Sequence, residues 1–305
     1  MGAAAAFVLK RAGKKNGMDK TGCCKSLIEA VPVREPLVND SKASIQVVNP
    51  PVNESRFEAL LRRSRRLQRS SDCCALHPEI NRAARFIVID WMNQVCAGNN
   101  YTRETYYFAL CLFDHVLKAT SDFPKAKLQL MGSACILIAV KLHESDDHEG
   151  ITDRLIYLCA EAFSTWHLHA METRLLRLLN WQTWCFTHED LMHYYWEVAD
   201  LYMREDQMHS TKIILDLLVL DLDSLQYEIA LLVLAVQVYV TPRLWTRLET
   251  HVNGVFTREQ IFQPALIQLI GTYARLHTQF DNAQKHHKEA IAHMEKQEER
   301  RLQNA

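Results

Sequence analysis

The chain has 305 residues, 48% of them hydrophobic, and a formal net charge of −1; this length allows one large domain or two of about 100 to 150 residues. The longest uninterrupted apolar stretch, around Ile229 to Ala235, falls far short of the ~18 residues of a membrane span, so a soluble chain with no membrane partner is expected. Residues 1–80 hold 14 Lys and Arg against 8 Asp and Glu, and residues 281–305 hold five against five, which leaves 16 against 23 in between; such an acidic body argues against nucleic acid as a ligand, because phosphate binding relies on clustered basic side chains.

Residues 1–55 lack sustained periodicity and contain Pro50-Pro51; this basic N-terminal arm is expected to be disordered. Its alanine run precedes Lys10 and Arg11, the reverse of a secretory signal, and Ala6 breaks the myristoylation pattern. Residues 56–80 are read as a helix and linker. The string ESRFEALLRRSRRLQ, Glu54 to Gln68, predicts a short basic amphipathic helix lying against the body, a reading preferred to a nuclear-import patch.

Residues 81–184 carry five predicted helices: Arg82 to Ala97, Arg103 to Ala119, Ala126 to Leu142, Thr152 to Ala162 and Thr165 to Leu179. Gly98-Asn99-Asn100 ends the first, Thr102 can cap the second, and Pro124 precedes the third. The second and third are apolar nearly all round, as helices enclosed by other helices are. Residues 185–280 carry a second set: Thr187 to Met203, Ser210 to Leu222, Gln226 to Val240 and Thr257 to Gln279, with Pro242 as a break and Thr257 with Gln260 as a capping box. The expected architecture is all-α, one helical repeat after another, with a polar tail over residues 281–305.

Nine cysteines, two adjacent pairs (Cys23-Cys24 and Cys73-Cys74) and five singles, form neither a disulfide framework nor a CxxC ligand pair and are read as free thiols. His143 with His148 and His188 with His193 imitate zinc-protease strings, but a spacing of i+5 turns the second ring about 140° from the first. The loop SDDHEG would place Ile156 where a calcium loop needs a bidentate glutamate. No phosphate cradle or nucleophile elbow appears, so no metal, no cofactor and no enzymatic activity of its own are expected. Four charges remain inside apolar runs: Arg85, Asp114, Lys141 and Glu172. There a charge is costly unless it pairs or meets a partner.

The strings RFIVIDWMNQVC, RETYYFALCLFDH, KAKLQLMGSACILIAVKLHES and LHAMETRLLRLLNW, in that order, resemble the cyclins across the first repeat, with a looser match in the second. DWMNQVC and RETYYFA are most similar to E-type cyclins, while KLQLMGSAC and MET..LLRLLNW are similar to D-type and viral cyclins, which makes the resemblance that of a divergent G1-type member. It implies the cyclin fold, two consecutive cyclin boxes. It also implies a buried structural ion pair between Arg85 and Asp114, and a kinase-facing set of Lys141, Glu172, Ile138, Leu176 and Trp181, whose two charges meet main-chain groups around the mobile αC helix of a cyclin-dependent kinase.

A substrate-docking groove for RxL motifs is implied at Ala84, Ile87, Trp91, Gln94, Leu128 and Gln129, weakened because Ala84 replaces the usual methionine and Gln94 the usual glutamate. HESDDHEG replaces the usual acidic pair and Tyr-Pro-Pro beyond the third helix, and the chain has neither an LxCxE nor a KEN string. The implied function is a regulatory subunit that activates a cyclin-dependent kinase at or before entry to S phase, in nucleus and cytoplasm. The alternative is a cyclin-fold adaptor that holds a protein without activating a kinase. A DNA-binding transcription factor built on the same repeat would need a basic body and usually a zinc ribbon.

Overall fold

The computed structural model describes residues 56–64, 75–144, 150–181, 183, 186–252, 255–279 and 281. The arm, both adjacent cysteine pairs, the start and end of the string from Glu54 to Gln68, most of the SDDHEG loop and all of the tail but Asp281 lie outside the described residues. Among the described residues the regular elements are all helical.

Helix α1 is Arg56–Ser64. The first repeat follows as α2 (Arg82–Gly98), α3 (Arg103–Ala119), α4 (Leu128–His143), α5 (Ile151–Leu158) and α6 (Thr165–Leu178). The caps explain the starts of three of these. Asn81 accepts from the Ala84 N–H at 2.9 Å to open α2, Thr102 accepts from the Thr105 N–H to open α3, and Ser164 forms a capping box with His167 to open α6. Pro124 is followed by a 3-10 turn, Lys125–Lys127, before α4 begins. Helix α5 stops at Leu158, four residues short of the expected Ala162, because Ala160 and Glu161 both adopt positive φ (52° and 56°) with no glycine to announce it.

The second repeat comprises α7 (His188–Ala199), α8 (Glu205–Leu218), α9 (Ile229–Val240), α10 (Arg243–Val252), α11 (Arg258–Ile261) and α12 (residues 264–279). Several boundaries depart from the periodicity. Helix α7 ends four residues early at Ala199, followed by the left-handed Asp200, and α8 starts five residues early with Glu205 and Asp206 in its first turn, where they favour its N-terminal dipole. The span from Thr257 to Gln279 is two helices: Pro264, lacking an N–H, cannot continue α11 but suits the first turn of α12. Helix α10 was absent from the expected set, although Leu244, Trp245, Leu248 and Val252 make a buried stripe.

Each repeat is built round one apolar helix. In the first, α4 packs against α2, α3, α5 and α6; in the second, α9 packs against α7, α8, α10, α11 and α1. Gly132 lets α2 approach α4, since a Cβ there would stand 3.2 Å from Met92 Sδ and 3.3 Å from Val88 Cγ1. Lys125–His143 is long and apolar enough to cross a membrane by length and composition, but 67% of that window is buried inside the bundle, as befits a core helix. Phe57 of α1 stacks on Tyr194 at 5.7 Å and meets Phe256 edge-on, tying α1 to the second repeat. Helix α3 packs against α7 and joins the repeats, with Tyr107, Phe108 and Phe113 fully buried; each such side chain contributes on the order of 1.5–3 kcal/mol.

Candidate partner-docking site

Lys141 lies in the last turn of α4 and Glu172 in the middle of α6, and the close packing of these helices brings the two together. Lys141 Nζ donates to Glu172 Oε1 at 2.5 Å, and His169, one turn earlier on α6, places Nδ1 3.1 Å from Glu172 Oε2. Both carboxylate oxygens are therefore occupied within the chain. The lysine side chain is 42% exposed while the glutamate side chain is 11% exposed, so the anion is held in the flank of the bundle and the cations reach outward. An ion pair exposed at both ends contributes about 0.2–1 kcal/mol to folding, and this one is open at its lysine end only.

Apolar residues precede and follow the pair on its two helices. Ile138, one turn before Lys141, is buried and Leu176, one turn after Glu172, is half-buried against the core. Trp181 is 66% exposed. It follows Asn180 in the left-handed region (φ 49° and 59°), and its N–H closes onto the Leu176 carbonyl at 2.9 Å, which aims the chain away from α6. Leu142 and Trp166 are also exposed. His169 was not singled out from the sequence; its i, i+3 spacing to Glu172 was the available signal.

Two neighbours brace the end of α4. The Glu144 carboxylate accepts from the Thr102 N–H at 2.7 Å and from the hydroxyls of Thr102 and Thr105, and His143 contacts Glu104 at 3.1 Å. Burial alone would raise the Glu144 carboxyl, but these hydrogen bonds outweigh it and hold it below the usual glutamate range.

Arg85 and Asp114 form a pair of a different kind. Arg85 Nε and Nη2 grip both oxygens of Asp114 at 2.9 and 2.8 Å, with both residues fully buried. The rest of the guanidinium donates to the carbonyls of Val219 and Leu220 in the second repeat at 3.2 Å. Those carbonyls carry no side-chain signal and were not foreseen.

The expected groove residues divide. Ala84, Trp91 and Leu128 are buried, Ile87 and Gln129 are half-buried, and Gln94 is exposed and donates to Asp90 at 2.7 Å. They lie on α2 and α4, which pack against each other. The Nε2 of Gln129 is enclosed without a hydrogen-bond partner. The zinc-like histidines are otherwise engaged: His143 with Glu104 and Phe108, and His188, fully buried, stacked on Tyr107 at 4.6 Å.

An all-helical body of two repeats, each wrapped round a central apolar helix, is the architecture of the cyclin fold, and the structure aligns with that of a viral cyclin from herpesvirus saimiri at a TM-score of 0.56 and 17% identity, covering 72% of this chain and 96% of that one. Residues 55–184, less than half of the chain, match the family model of the cyclin N-terminal domain, and this part of the chain is similar to that domain. The G1/S-specific cyclin-E of Hemicentrotus pulcherrimus is 26% identical over 186 residues, covering 57% of this chain and 43% of that protein. The G2/mitotic-specific cyclin-B3 of Gallus gallus is 39% identical over 102 residues, covering 33% and 25%. The chain thus spans less than half the length of these curated relatives.

Proposed function

We propose that the chain is a regulatory cyclin subunit that binds and activates a cyclin-dependent kinase, acting at the G1 or G1/S step in nucleus and cytoplasm. The observation that carries this reading is the Lys141–Glu172 pair across α4 and α6, in a domain that matches the cyclin N-terminal model and also holds an exposed Trp181. A charge pair open to solvent at its lysine end, on helices that also carry apolar side chains, suits a protein interface in which charge fixes register and apolar area supplies affinity. The proposed mechanism is a population shift: the kinase rests with its αC helix displaced, and the chain binds the active arrangement better. Moving such a switch from 1:99 to 99:1 takes about 5.5 kcal/mol of differential affinity.

In this reading Ile138 and Leu176 support the contact, and Ala84, Ile87, Trp91, Gln94, Leu128 and Gln129 form a weakened groove for RxL-containing proteins. The adaptor reading, from a different class, draws support from the free chain having already satisfied both oxygens of Glu172 internally. The two separate on one measurement. Against a panel of purified recombinant cyclin-dependent kinases, the chain should bind at least one and stimulate its phosphorylation of histone. Lys141→Ala with Glu172→Ala should abolish both while leaving the melting curve in place. Binding without stimulation would favour the adaptor, and undiminished activation by the double variant would remove the interface assignment.

A further inference from the structure

We propose that His169 is a third member of the docking pair, a positioning residue that competes with the partner for Glu172 and makes association depend on pH. The inference rests on the kinase-docking reading and adds to it a means of regulation. Its ground is geometric. In the free chain Lys141 bonds to Glu172 Oε1 and His169 to Oε2, and the glutamate side chain is only 11% exposed, so a partner N–H seeking the carboxylate has to share an oxygen with one of them or displace it. Of the side-chain types that meet this carboxylate, an imidazole is the one whose charge ordinarily changes between about pH 5 and 8. Protonated, His169 holds Oε2 by a charge-assisted hydrogen bond, which is stronger than a neutral one. Neutral, it yields that oxygen more readily.

The surroundings leave His169 free to act this way. Its side chain is 47% exposed, so protons reach it from solvent. Among the described residues Glu172 is the ionisable side chain within bonding distance of it. Helices α3, α4 and α5 pack against α6. From α4 the facing charge is Lys141; its neighbour His143 is turned to Glu104 of α3. From α3, Arg103 and Asp114 are committed to Asp216 and Arg85, and His115 and Lys118 have contacts of their own. Helix α5 carries Asp153, Arg154 and Tyr157, of which Arg154 donates to Asn99. On α6 itself His167 is held by Ser164, while Arg174 and Arg177 lie beyond Glu172.

The test measures association of the full chain with the kinase panel by surface plasmon resonance at about pH 6 and about pH 7.5. The wild-type chain should bind about two- to fivefold more weakly at the lower pH, the range set by a solvent-exposed ion pair. His169→Leu should bind with the same affinity at both values relative to the kinase's own baseline, and His169→Gln, which can donate but not charge, should do likewise. Identical pH profiles for wild type and both variants would overturn the role of His169 while leaving docking through Lys141 and Glu172 intact. Failure of the wild-type chain to bind at either pH would overturn the docking reading and this inference with it.

Discussion

Arg85 and Lys141 are both basic residues paired with an acid, yet their surroundings assign them opposite consequences. Removing the Arg85 side chain would strand Asp114, fully buried, and leave two carbonyls of the second repeat unmet. Breaking a buried pair from one side costs about 3–5 kcal/mol. Arg85→Ala should therefore lower the melting temperature by many degrees, whereas Lys141→Ala, which leaves Glu172 its contact with His169, should lower it by much less. Scanning calorimetry of the two variants checks this, and coincident melting curves would remove the structural role of Arg85. Which charges were unusual was legible in the sequence, because each interrupts an apolar run. That Lys141 and Glu172 bond to each other, and that His169 joins them, depended on the approach of two helices 31 positions apart in the chain.

At the level of elements, starts were easier to foresee than ends. Thr187 with Asp190 and Thr257 with Gln260 form the capping boxes their spacing suggests. The ends at Leu158 and Ala199 were not legible, because residues 160, 161 and 200 enter the left-handed region without glycine, a choice made by packing rather than by local preference. Helix α10 escaped notice because Pro242 was read as a break alone, whereas it precedes and opens a new turn: the Trp245 N–H bonds to its carbonyl at 3.2 Å. The contact between the end of α4 and the start of α3 carries its own prediction. The Glu144 carboxyl is depressed in the folded chain, so its contribution is present above its unfolded value and is lost as the pH falls through the folded one. Wild-type protein should thus lose more melting temperature than Glu144→Gln between pH 7 and pH below about 4. Parallel losses would mean that Glu144 adds nothing to the α3–α4 junction.

For the molecule as a whole, the seam between repeats is asymmetric: arginines come from the first and acids from the second. Arg103 grips Asp216 with two nitrogens at 2.7 and 2.8 Å and reaches Glu189, while Tyr107 donates to the same aspartate. Burial alone would lower the Arg103 guanidinium, but Tyr107, Asp216 and Glu189 together raise it. On the outer edge Arg82 bonds to Asp221 and Asp223, and its hydrogen bond holds the Asp223 carboxyl below the usual range. Asp216→Ala should cost about 2–4 kcal/mol, since it leaves a half-buried cation and a buried hydroxyl short of their partner. Denaturant unfolding followed by far-UV and tryptophan signals should remain a single transition shifted to lower midpoint; an unshifted midpoint would show that the seam is held by apolar contact alone.

The sequence by itself determined that the chain would be helical, that it would repeat, and which charges interrupt apolar runs, because period, caps and hydropathy act over neighbours along the chain. The tertiary structure decided where helices stop, which acid each cation meets and how the repeats face each other. Those outcomes turn on backbone carbonyls and on side chains more than a hundred residues apart, such as Arg85 with Val219 and Arg103 with Asp216, and no local pattern encodes a distance that only folding creates.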